Sequence, residues 1–116
     1  MPVIRSKDRA TTNQGFQGYG ERTLVDQEAM SDLMTMGDLV FEPGAFVPRH
    51  HHDAQEAFYV FEGNGTVILG DEEFDLSVGD ALLVPAGESH GFRNDSGRPW
   101  RMVWVYSALD SKTCFE

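Results

Sequence analysis

From residue 23 onward, apolar and polar positions alternate in short runs separated by turn residues, and helical spacing is almost absent. The runs are "GDLVFEPGAFVP", "EAFYVFEGNGTVILGDEEFDL", "DALLVPAGESHGFRND" and "RPWRMVWVYS". Strand signals return at roughly ten-residue spacing, which predicts an all-β sandwich or barrel. Glu62 to Gly65 and Gly70 to Glu73 join strands at hairpin distance, and Pro85 to Gly87 is a tight turn. Acidic "DEEFD" reads as a solvated hairpin. The best helical candidate, Asp26 to Met36, is cut off by Gly37 and Asp38 and reads equally as a turn plus a strand. Within the strand that opens at Glu56, alternation puts Glu56, Phe58 and Val60 on one face and Ala57, Tyr59 and Phe61 on the other. The last strand leaves two parities open, with either Met102 and Trp104 or Val103 and Val105 inward. Residues 1–22 are polar and glycine-spaced, either a frayed leader or an extended arm docked on a barrel edge, its own or a partner's, with Phe16 and Tyr19 as anchors. The expected division is an arm over 1–22 and a barrel domain over 23–116.

The same alternation sorts the histidines. The chain has four, three of them consecutive in "PRHHHDAQEAF". In extended backbone, His50 and His52 aim at one point and His51 points away. Glu56 faces inward if its apolar neighbours do, and a buried carboxylate is costly unless it is paired or binds a cation. His90 opens "HGFRN", with Phe92 and Asn94 on its parity, so a third imidazole can arrive from another strand. Three imidazoles and a carboxylate suit a divalent transition metal and leave a position open for water or substrate.

Composition narrows the function. One domain of 116 residues can bury a core without staples. The net charge of −10, with only Lys7 and Lys112 as lysines, opposes nucleic-acid binding. No apolar run approaches a membrane span, and no signal-like segment opens the sequence. Cys114 is the single cysteine, so no internal disulfide forms, and a cytoplasmic protein is expected.

The residues also resemble a known family. Gly44, His50, His52, Glu56 and Gly63 fill the first cupin motif, G-x5-H-x-H-x3-E-x6-G. Gly79, Pro85, Gly87, His90 and Asn94 fill the second, G-x5-P-x-G-x2-H-x3-N. The resemblance implies a double-stranded β-helix, the cupin jelly-roll barrel, from roughly residue 23 to 107, preceded by the extended arm. It implies one divalent transition metal per chain (Fe, Mn, Ni, Zn or Cu) on His50, His52, Glu56 and His90, and a homodimer that covers barrel edges. Because this fold hosts many chemistries, the site has to decide the function. The expectation placed first is a metal-dependent enzyme on a small organic substrate, with dioxygenase-type chemistry ahead. Its alternatives are a non-redox isomerase, cyclase or lyase on a sugar acid or similar small molecule, with Tyr59 or Tyr106 as candidate catalytic base, and a non-catalytic ligand-binding module. The expected substrate pocket is Phe58, Val60, Phe92, Met102 and Trp104; many of these serve equally as core.

Overall fold

Ten strands form, eight of them within or beside the alternating runs and two, the first and the last, at the chain's ends, and the computed structural model describes residues 3–29, 31–109 and 112–116. They are β1 (Tyr19–Val25), β2 (Thr35–Phe41), β3 (Phe46–His52), β4 (Glu56–Glu62), β5 (Asn64–Leu69), β6 (Glu72–Ser77), β7 (Ala81–Val84), β8 (His90–Arg93), β9 (Trp100–Tyr106) and β10 (Thr113–Phe115). Two five-stranded antiparallel sheets result, ordered β1-β2-β9-β4-β7 and β10-β3-β8-β5-β6. This is the expected jelly roll. The only helix among the described residues is one 3-10 turn at Ser6–Asp8. Asp26 to Met36 takes the second of its two expected forms, a turn closed by the Ala29 N–H on the Asp26 carbonyl and then β2; Met30 lies outside the described residues.

Alternate residues of β2, β4 and β9 face inward, including Leu39, Phe41, Phe58, Val60, Trp100, Met102 and Trp104. The parity of the last strand is thereby settled: Met102 and Trp104 point in. Phe41 packs its ring 5.2 Å from Trp100 and 5.4 Å from Phe92, tying the two sheets together.

One local expectation needs correction, and one strand departs from strict alternation. The Glu62 to Gly65 turn does not close a hairpin, because β4 and β5 belong to different sheets. It is the corner where the chain crosses between them. Gly63 sits there at φ 77°, and a Cβ on it would lie 2.2 Å from the Pro99 carbonyl oxygen, so no side chain fits the crossing. In β3, strict alternation back from His50 would bury Phe46 and Pro48. A bulge between Val47 and His50 shifts the register, so Val47 is buried and Phe46 is half exposed.

The N-terminal segment docks on its own barrel. Thr12 and Glu21 exchange two backbone hydrogen bonds, and strand structure begins at Tyr19, inside the segment read as an arm. Phe16 meets Phe115 at 5.6 Å and Tyr19 meets Phe41 at 5.0 Å, so both expected anchors pack within the chain.

Asn94, on the parity of His90, is fully buried. Its amide donates to the Phe41 and Arg98 carbonyls, and its side-chain oxygen accepts from the backbone and hydroxyl of Ser96. A buried group left unpaired costs about 1–3 kcal/mol. Asn94→Ala is therefore expected to lose more than about 2 kcal/mol in chemical denaturation. Asn94→Asp should fare no better, since a carboxylate cannot donate to two carbonyls. Loss of less than about 0.5 kcal/mol in both variants would show the network to be unimportant.

Candidate metal centre and its family

The strand ends bring four of the predicted side chains together. His50 and His90 stand directly opposite each other across β3 and β8, and Glu56 on β4 is paired with Tyr106 on β9. The two pairs face each other between the sheets. His50, His52 and His90 each present a ring nitrogen within 4.8 Å of the other two. The Glu56 Oε1 lies 3.4 Å from His52 Nε2 and 3.8 Å from His90 Nε2. All four residues are buried. His51, on the other parity, is part-exposed and pairs with the Glu116 carboxylate at 3.0 Å.

Hydrogen bonds decide which nitrogen two of the three rings offer. His50 Nδ1 donates to the Pro48 carbonyl at 2.8 Å and His90 Nδ1 to the Glu88 carbonyl at 3.0 Å. A carbonyl only accepts, so these rings carry the proton on Nδ1 and hold an Nε2 lone pair toward the centre. His52 is held differently: its Nδ1 meets the Thr113 hydroxyl at 2.9 Å, and the Tyr106 hydroxyl lies 3.2 Å from its Nε2. His90 Nε2 is buried without a hydrogen-bond partner. Such an orphan asks for an explanation, and a cation is one. Two imidazoles with inward lone pairs, a third beside them and one carboxylate are a donor set that fits a divalent transition metal.

Burial lowers the pKa of His50, and burial followed by the nearby His50 pushes His90 down to about 3. Burial raises that of Glu56. The Tyr106 hydroxyl is raised by burial and then by Glu56, so it remains a proton donor at neutral pH. For the metal-free protein the signs follow. Below about pH 6.5 the unfolded chain protonates its histidines, whereas folded His50 and His90 resist, so the unfolded state binds more protons and stability falls with pH. Glu56, raised by burial, works in the opposite sense, because the folded state takes up its proton before the unfolded chain does as pH falls. The Tm of metal-free protein is expected to drop steadily from pH 6.5 to 4; a flat profile would contradict the neutral, buried imidazoles.

Above this centre lies a cavity walled by Phe16, Phe41, Phe58, Phe92, Trp104 and Phe115, with Tyr19, Glu21 and Tyr106 as polar groups. Of the expected pocket residues, Phe58, Phe92 and Trp104 line it. Val60 and Met102 do not. They are cross-strand partners one layer deeper than the Phe58–Trp104 pair and are fully enclosed as core. Tyr106 is at the site, but Tyr59 is half exposed on the outer face of β4, as its parity dictates, and points away from it. Sequence reasoning missed Glu21 and Thr113. Neither belongs to a local pattern, and Thr113 reaches His52 across 61 residues.

A family model for the cupin domain matches residues 37–106. The chain belongs to the cupin family. Cupincin of Oryza sativa subsp. indica is 35% identical over 79 residues, 64% of this chain and 17% of cupincin. The tetracenomycin polyketide synthase protein TcmJ of Streptomyces glaucescens is 32% identical over 95 residues, 80% of this chain and 64% of TcmJ. This cupin thus spans less than two thirds of the length of either curated relative. The structure of the polyketide cyclase RemF from Streptomyces resistomycificus superposes with a TM-score of 0.87 at 23% identity, covering 99% of this chain and 84% of RemF, a likeness of fold. Among the described residues no helix is long and apolar enough to cross a membrane.

Proposed function

We propose that this cupin is a metal-dependent enzyme that promotes a non-redox ring closure or rearrangement of a small, oxygen-bearing aromatic molecule. The metal is held by His50, His52, Glu56 and His90. The observation that carries this reading is the convergence of three inward-facing imidazoles and a buried carboxylate at the floor of an aromatic cavity. A divalent metal there, whether Fe, Mn, Ni, Zn or Cu, supplies a Lewis acid for a keto, enol or phenolate oxygen. The aromatic walls stack the substrate ring and exclude water, and Tyr106, protonated and beside His52, donates a hydrogen bond to a developing oxyanion. The likenesses to TcmJ and RemF support a polyketide-like aromatic as the substrate class. On that support, non-redox chemistry moves ahead of the dioxygenase-type chemistry placed first from the sequence.

Access needs movement. With Phe16 and Phe115 in contact, the cavity holds about 50 Å³. A cavity of about 150 Å³ is what a benzene ring occupies, so ring-sized substrates enter when these two aromatics part. Homodimer formation through sheet edges belongs to the same reading, supported by exposed Tyr59, Phe61 and Leu83 on β4 and the edge strand β7, and light scattering reads it directly. A cytoplasmic location is proposed on the single cysteine, which fractionation tests.

The deciding experiment is elemental analysis of the purified protein followed by a screen of hydroxylated aromatic substrates with and without oxygen. Turnover is expected to persist anaerobically. Turnover that stops without oxygen and consumes it in air would replace this reading with the dioxygenase one.

A further inference from the structure

We infer that Glu21 is the proton acceptor for the substrate, working from the wall that β1 and the N-terminal segment add to the cavity; this rests on the metal-site reading above. Glu21 lines the same cavity as His50, His52, Glu56 and Tyr106. Its carboxylate accepts from the Tyr19 hydroxyl at 2.9 Å and from the Gln14 side-chain amide, both neutral donors. Among the described residues no lysine or arginine pairs with it. An ionised carboxylate offers about four acceptor positions, so two remain for a ligand.

The other candidates in the cavity are already engaged. Glu56 faces His52 and His90 as a ligand, the Tyr106 hydroxyl beside His52 keeps its proton to donate to the oxyanion, and the Tyr19 hydroxyl is held by Glu21 itself. That leaves Glu21 as the carboxylate near the metal centre with free capacity. Its placement is built with some care by the chain. Glu21 is bridged through its backbone to Thr12, and Gln14 reaches it from a left-handed backbone conformation, φ 52°. Uncommon backbone of this kind persists where surrounding contacts enforce it.

The step balances without a further reagent. A phenolic O–H, or a C–H beside a carbonyl, breaks; the proton passes to a Glu21 oxygen. The electron pair stays on the substrate, delocalised onto the oxygen held at the centre. The Gln14–Glu21 contact is exposed, so the proton can pass on to solvent. A substrate must therefore carry an acidic hydrogen within reach of its metal-binding oxygen, which selects hydroxylated aromatics and enolisable ketones over simple carboxylates.

The test uses the metal-loaded full chain and two probes, 4-nitrocatechol, which has a hydroxyl proton to give, and benzoate, which at neutral pH has none. E21Q keeps the size of the side chain and its contact with Tyr19. It is expected to weaken 4-nitrocatechol binding about tenfold or more, to leave benzoate binding unchanged or tighter, and to retain full metal content. Glu21→Asp keeps the charge and should lose less, which carries the test if E21Q does not fold. Unchanged 4-nitrocatechol affinity in E21Q, or equal losses on both probes, would overturn the role of Glu21 alone. Wild-type protein that holds no metal, or binds neither probe, would overturn the metal-site reading together with it.

Discussion

Replacing His52 with alanine is expected to abolish the metal binding proposed above while leaving the barrel folded. The imidazole stands at the middle of the site, 3.4 Å from the Glu56 carboxylate and 2.9 Å from the Thr113 hydroxyl. Its loss removes a ligand and leaves three, one of them a buried carboxylate whose raised pKa favours taking up a proton once the cation is gone. Residues that merely orient a ligand are worth about 10–100-fold in metal affinity, so removing a ligand should exceed that range. The backbone is held independently of the side chain. The His52 carbonyl accepts from the Gly87 N–H at 2.7 Å, and β3 is paired on both sides, with β8 and β10. Elemental analysis after dialysis should find His52→Ala almost free of metal with an unchanged circular dichroism spectrum. His51→Ala, one residue away on the outer face, should retain it. Stoichiometric metal in His52→Ala would refute the ligand assignment.

That one-residue contrast is what the alternation in the sequence could carry. Period two separates His51 from its neighbours, and it orients Glu56 and Phe58, because β4 is a central strand with one buried face. For β9 it leaves both parities open, and only the structure turns Met102 and Trp104 inward. Alternation fails where the chain departs from regular pairing. The bulge between Val47 and His50 is invisible to a count of alternate residues, and the Gly63 crossing has the residues of a hairpin turn but a different path. Depth is equally hidden: nothing in the alternation says that Val60 and Met102 lie one layer below the cavity floor. The contributions of Glu21 and Thr113 depend on how terminal segments fold back over the mouth, a tertiary event between residues far apart in sequence.

The largest stability loss should come from Trp100→Ala. Trp100 is fully buried and bonds the sheets through ring contacts with Phe41 at 5.2 Å and Phe92 at 6.0 Å. Truncating a buried tryptophan costs about 3–5 kcal/mol, against a total of about 5–15 kcal/mol for a typical domain. The site has little capacity to collapse. Gly65 lies directly against the indole, where a Cβ would sit 2.2 Å from Cε3, and Gly63 is pressed onto Pro99 and Trp100 just before it. The same closeness predicts that Gly65→Ala destabilises from the opposite direction, by about 1–3 kcal/mol of overpacking or more. Trp100→Phe should be the mildest of these, because the indole Nε1 is buried without a partner and its removal relieves an unsatisfied donor. If Gly65→Ala acts through the indole, adding it to Trp100→Phe should cost less than adding it to wild type. Urea denaturation of the four variants reads this ordering, and a Trp100→Ala loss below about 1 kcal/mol would refute it. Phe41 and Phe92 also wall the cavity. A Trp100→Ala protein that still folds should therefore bind 4-nitrocatechol more weakly without losing metal, because the indole steadies the cavity walls and touches none of the ligands.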